Sequence, residues 1–135
     1  MTTSLADGTM ADKLAQFDLL KEIDDAEQKK PWTSGHYART LFKTHDLRVV
    51  LFTMQDASRM KEHHADGALS IQVLKGQLRV SVDGESYALG VGNLLTLAAS
   101  LRHDVESVGD SAFLLTISWP RAQELAAMQH RGYGS

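Results

Sequence analysis

The sequence contains no cysteine. That excludes a disulfide scaffold, a thiolate metal centre and a cysteine nucleophile together. It has no basic cluster either: fourteen Lys and Arg stand against seventeen Asp and Glu, for a formal charge of −3. Such a balance argues against nucleic acid or an anionic membrane as the main partner. Long apolar runs are also missing. The stretch Asn93–Ala99 falls far short of the ~20 residues a membrane helix needs. The opening MTTSLADGTM lacks the basic and apolar regions of a secretory signal, so a cytoplasmic protein is expected. Two prolines and ten glycines, with 43% hydrophobic and 23% charged residues, exclude collagen and disorder. What remains is 135 residues, the length of one ordinary domain. Any metal or acid–base chemistry must run on six histidines and the carboxylates.

Residues 1–9 are small and polar and read as a loose arm. From Met10 to Lys30, Leu14, Phe17, Leu19, Leu20, Ile23 and Ala26 recur at helical spacing. Asp12 or Asp18 can cap this helix, and Pro31 ends it. From Trp32 the texture changes to short β-type segments, near 37–43, 47–54, 58–63, 69–75, 77–82, 86–89, 93–97, 101–107 and 112–119. Turn residues separate them, among them Lys75-Gly76, Asp83-Gly84 and Gly109-Asp110. Asp83-Gly84 is the strongest hairpin signal, because a tight primed turn needs positive φ. Short strands without intervening helices predict an antiparallel sandwich or barrel. Pro120 stops the last strand, and a short helix from Arg121 to about Gln129 leads into a Gly-rich tail. The chain therefore divides into an arm and helix over 1–31, a β-barrel over 32–120, and a short helix and tail over 121–135.

Period-two alternation assigns faces. In Leu101–Glu106 the odd positions are apolar apart from His103, and the even ones are charged. His103 therefore points inward with Leu101 and Val105. The odd positions of Leu69–Val73 are apolar too, and that parity carried backwards without a bulge turns His63 inward and His64 outward. Arg79 alternates with Leu78 and Val80 and faces out. The segment 47–54 is apolar on both faces, so either the N-terminal helix or a second subunit must cover it. A homodimer built on that strand is expected. Phe113, Trp119, Met54 and Met60 read as core, with Met60 also the best candidate for a pocket wall. Trp32 reads as a plug at one end of the barrel beneath the helix.

Over residues 57–119 the sequence resembles the cupin superfamily, small β-barrels that hold a metal or small ligand in the barrel mouth. The family's second motif falls in register on Gly92, Ala98, Ser100, His103 and Ser107, keeping its Gly and His. Its first motif falls on Ala57, His63, Ala65, Leu69 and Gly76, keeping the first His and the closing Gly. Fifteen residues, Gln77 to Val91, separate the motifs, similar to the compact spacing of small bacterial cupins. The resemblance implies an all-β fold, a cupin-type antiparallel β-barrel (a double-stranded β-helix or jelly roll) with N-terminal and short C-terminal helices.

Metal-binding cupins use two His and a Glu of the first motif with the His of the second. Here His63 and His103 occupy two of those positions, while Ala65 and Leu69 replace the others. A shifted register puts Glu62 and His64 on the paired-His positions instead. Two imidazoles alone are a poor divalent site. A three-His site of His63, His64 and His103, for Zn, Ni, Fe or Mn, needs a break in strand parity at 63–64, which a bulge provides. Glu62 and Asp66 are other candidates for a third ligand. The alternative is a metal-free pocket in which the inward histidines bond to each other, to Gln72, to Tyr37 or to a ligand. Three functions follow. One is a small-molecule-binding cupin with a degenerate metal site; the second is a metal-dependent dioxygenase or isomerase with Glu62 or His64 as base; the third is a non-catalytic sensor or structural module.

Overall fold

The computed structural model describes residues 13–63 and 65–118, the side chains of residues 62 and 63 excepted. Among the described residues there are one helix, α1 (Leu19–Glu27), and seven strands. These are β1 (His36–Lys43), β2 (Leu47–Met54), β3 (Arg59–His63), β4 (Leu69–Val82), β5 (Glu85–Gly90), β6 (Leu94–Leu97) and β7 (His103–Ser118). All pairings are antiparallel. Trp119, Pro120 and the helix expected over 121–129 lie outside the described residues.

Nine expected segments have become seven strands because two expected turns bend the chain without reversing it. Residues 69–75 and 77–82 form a single β4, and 103–118 a single β7, which pair along their length. Residues 69–75 lie opposite 112–117, and 77–82 lie opposite 103–108. Between them the three residues 109–111 face Gly76 alone, a bulge in which Gly76 and Gly109 have φ of +70° and +75°. A bulge bends and twists a ladder rather than ending it. The bend divides the sheet into two halves: one runs β1-β2-β7-β4-β6, the other β3-β7-β4-β5. The inward residues of both halves, Leu69, Ile71 and Val73 from one and Leu78, Val80 and Val105 from the other, enter one core cluster. That arrangement is the jelly-roll barrel the sequence implies.

Gly76 is required at this bend. An added Cβ would meet the Asp110 carbonyl oxygen and stand 2.9 Å from the Ser111 Cα, at a φ that L residues rarely adopt. Gly76→Ala is expected to cost about 1–3 kcal/mol. The check is a lower urea midpoint with an unchanged m-value. The Asp83-Gly84 turn also has positive φ at both residues, +50° and +78°, as a type I′ hairpin demands.

The helix is shorter than its apolar periodicity suggests. Asp18 caps it, accepting from the Lys21 amide at 3.2 Å, and residues 13–18 are not helical. Its buried face, Ile23 and Ala26, lies over the barrel, with Ile23 packed against Leu51 and Ala112. So α1 covers part of the outer face of β2. Trp32 is buried beneath it, its indole N–H donating to the Ala26 carbonyl at 3.0 Å. Among the described residues, no helix is long and apolar enough to cross a membrane.

Ion pairs tie the helix end to the bend. Glu27 pairs with Lys30 at 2.9 Å and Lys75 at 3.0 Å, and Lys30 also reaches Asp110 at 3.4 Å. Burial pushes the Glu27 carboxyl up, but hydrogen bonds from Lys30 and Lys75 outweigh it and hold it below its ordinary value of 4.5. A lowered folded-state pKa contributes stability above the unfolded value, lost as pH falls through the folded one. Glu27→Gln is therefore expected to lower stability by about 0.5–1 kcal/mol at neutral pH, the range of partly exposed pairs. The difference should vanish below the carboxylate range, as urea midpoints at neutral and strongly acid pH will test.

Candidate functional site

One end of the barrel holds a cavity of about 90 Å³. Alternation builds most of it. Leu69 and Ile71 of β4, and Val105, Phe113, Leu115 and Ile117 of β7, are the odd-numbered inward residues of their strands. Phe52 of β2 stacks on Phe113, to which it is paired in register, with ring centroids 5.0 Å apart and planes 6° from parallel. Met60 of β3 and the loop residue Ala65 complete the hydrocarbon wall. Among the described residues that line it, His103 is the one polar side chain. Only 6% of it is exposed.

The imidazole is oriented by its own strand. His103 Nδ1 lies 3.2 Å from the Leu101 carbonyl oxygen. A carbonyl can only accept, so Nδ1 carries the hydrogen and donates, and in the neutral ring the lone pair sits on Nε2. Outside the cavity, the charged neighbours of His103 pair on the surface as alternation predicts. Arg59 meets Asp104 at 3.3 Å, and Arg79 meets Glu106 at 3.1 Å.

The register of β3 changes the sequence reading. Arg59 stands opposite Glu106 and Met60 opposite Val105, yet His63 stands opposite His103. Three steps along β3 match two along β7, so one extra residue is inserted between Met60 and His63. Regular pairing would set Glu62 opposite His103. The bulge substitutes His63. The irregularity thus lies before His63, not at 63–64 where the three-His site needs its break. Parity could not be carried back from β4, because residues 65–68 between the strands are not extended ladder.

Of the residues singled out in the sequence, the cavity brings together Met60 and His103. Gln72 is exposed on the outward face of β4, and Asp66 is exposed in the loop after β3. Tyr37 is on β1, with the Lys29 ammonium 5.7 Å from its ring centre; none of these three lines the cavity. The side chains of Glu62 and His63, and all of His64, lie outside the described residues. The sequence reading missed Phe52, Ile71, Leu115 and Ile117 as lining residues. Shared parity with Phe113 was the available signal for the β7 pair, whereas β2, apolar on both faces, hid Phe52.

The residues present decide how well a cupin metal would fit. Among the described residues, no group of three or more His, Asp or Glu could hold one ion. The positions that correspond to the family's second His and its Glu are Ala65 and Leu69, and both line the cavity as hydrocarbon. The family's four-ligand set does not fit this barrel.

Comparison with known proteins agrees with this architecture. Residues 50–119, just over half of the chain, match the model of the cupin domain family. No curated protein matches the chain. Among solved structures, a conserved protein of unknown function from Streptococcus pyogenes is 22% identical. That likeness covers 80% of this chain and 90% of that one, with a TM-score of 0.67. A cupin superfamily protein from Desulfitobacterium hafniense is 17% identical over 70% of this chain and 87% of its own, with a TM-score of 0.64. A cupin 2 conserved barrel domain protein from Leptotrichia buccalis is 22% identical over 69% of this chain and 45% of its own, with a TM-score of 0.62. At such identities the structures establish the fold, and the domain match establishes the family. The chain belongs to the cupin family.

Proposed function

We propose that this cupin binds a small molecule in the barrel-mouth cavity, with His103 as the anchor. The observation that carries the reading is a buried imidazole, its tautomer set by Leu101, in a cavity whose other described lining residues offer only hydrocarbon or thioether. Concave apolar sites with a few placed polar groups are the usual form of small-molecule sites. A fragment screen followed by methyl NMR tests it. Ligands should shift the Ile71, Val105 and Leu115 methyls saturably, and a screen whose hits all map elsewhere sinks the reading.

A second reading is a divalent-metal site of His63 and His103, with His64 as third ligand. The register of β3 favours its His63–His103 pair, since residues directly opposite in an antiparallel pair share a face. The His103 Nδ1–H···O=C bond also favours it, because metal-bound histidines commonly fix their other nitrogen this way. Elemental analysis of protein purified without chelator, then titration with Zn, Ni, Fe and Mn, decides it. One ion per chain, lost in His103→Ala, supports the site; no uptake ends it. Dioxygenase or isomerase activity belongs to this second reading and fails with it.

The same proposal takes the protein as a cytoplasmic homodimer without a nucleic-acid or membrane partner. Leu14 and Leu20, 56% and 74% exposed, support a dimer, and light scattering on the eluting peak measures it.

A further inference from the structure

We infer that residues 121–129 form a second covering helix, seated beside α1 on the outer face of the barrel. The inference is independent of what the cavity binds. It starts from a contrast between the two outer faces. On the half built from β3, β7, β4 and β5, Arg59 pairs with Asp104 and Arg79 with Glu106, the pattern of a solvated face. On the other half, Ile23 of α1 packs against Leu51 and Ala112. Further along the same strands the face continues as a groove lined by Leu47, Ser70, Thr96, Thr116 and Ser118. Gln72, Leu94 and Leu114 form the next row of that face. None of these eight residues is charged. An antiparallel sheet can leave one face to water, and the first half does so with ion pairs; a face without charge points to a covering element.

The chain itself supplies the occupant. Residues 119–135 follow β7, and the end of β7 is pinned at the groove. Ser118 stands opposite Leu47, and its amide and Oγ both donate to the Ala68 carbonyl, at 3.0 and 3.2 Å. Pro120 cannot continue the ladder and suits the first turn of a helix. In the helix expected from Arg121 to about Gln129, Ala122, Leu125 and Ala126 are spaced i, i+3, i+4 and share one face, with Glu124 on another. Nine helical residues are ~13.5 Å long, and the three strand spacings from β2 to β6 are ~14 Å. The helix therefore spans the groove, as the nine residues of α1 cover the area beside it. Small apolar side chains also match a floor of Ser and Thr. A second copy of the chain fits less well. The groove and its neighbouring row offer ~14 by ~13 Å, roughly 200 Å², about a quarter of the ~800 Å² that each partner buries in a stable complex.

The test uses the unmodified full chain, methyl-labelled at Leu, Ala and Thr. Nuclear Overhauser effects should join the Leu125 and Ala126 methyls to those of Thr96 and Thr116. They should persist when labelled chains are diluted tenfold with deuterated ones, which places them within one chain. A neutral gadolinium chelate should then broaden the Thr116 methyl at least threefold more strongly in Leu125→Asp than in the parent protein. Glu124→Gln, which alters another side of the helix, should leave that broadening unchanged. Absence of any contact between residues 122–126 and the groove methyls overturns the inference. So do contacts that vanish on dilution, which would give this face to a second copy, and so does equal broadening in Leu125→Asp and the parent.

Discussion

Leu69→Glu is expected to be less stable than the parent protein by about 3–5 kcal/mol at neutral pH, the cost of an uncompensated buried charge. Leu69 is 7% exposed, opposed in register by Leu97 on one side and Ile117 on the other. A carboxylate placed there faces hydrocarbon, so its folded-state pKa should rise. A raised folded pKa makes stability present below the unfolded value and lost as pH rises through the folded one. The variant should thus weaken from acid towards neutral pH, the reverse of the slope that Glu27 contributes. Adding Ala65→His supplies the other position in which this chain departs from metal-binding cupins. If His63 shares the inner face with His103, the double variant adds two donors to make four, and metal then compensates the buried carboxylate. At zinc or nickel 100-fold above its dissociation constant the gain is ~2.7 kcal/mol, an upward shift of roughly 10 °C in Tm. An unshifted Tm with either metal would show that His63 and His103 do not converge, and would count against the metal reading of the native site as well.

How far the sequence could be read depends on the range of the signal used. Alternation within one strand is local, and it placed His103 and Val105 inside and Arg79 outside correctly. The Asp83-Gly84 turn was equally local, because positive φ at two adjacent residues has few solutions. Cover for the doubly apolar β2 was foreseen, and α1 is that cover in part. The losses came wherever one element had to be placed against another. Gly76 and Gly109 carry turn chemistry, but whether such residues reverse a chain or only bend it depends on the partner strand. Here each continues to pair on the other's flank, and four expected strands become two. The bulge in β3 is invisible for the same reason: Met60, Glu62 and His64 alternate perfectly well in sequence, and only β7 counts the extra residue. Gln72 alternates with Ile71 and Val73, so the parity that turned those residues inward already turned its amide outward. The apolar periodicity running from Leu14 into α1 overstated the helix, because Leu14 and Phe17 stay exposed and Asp18 sets the start.

The core prediction of largest effect concerns Phe113. It is 1% exposed, opposed by Phe52 and Val73 on its two neighbouring strands, and lines the cavity beside His103. Phe113→Ala removes a ring from the place where the β2, β4 and β7 inner faces meet, at an expected cost of about 3–5 kcal/mol. A domain is stable by only about 5–15 kcal/mol in total, so the loss should move the urea midpoint by about a fifth or more of its value. The same change in Phe52, which is only half-buried, should cost less, although it breaks the same stack, itself worth about 0.5–1.5 kcal/mol beyond area. That ordering separates burial from stacking as the source of stability. Equal losses would place the energy in the ring pair rather than in the packed position of Phe113. The vacated ring also joins the existing cavity and takes it towards the ~150 Å³ that admits benzene. Benzene should therefore raise the Tm of Phe113→Ala and leave the parent protein unchanged. A benzene effect confined to the variant ties the stability of this barrel and the volume of its ligand site to one side chain.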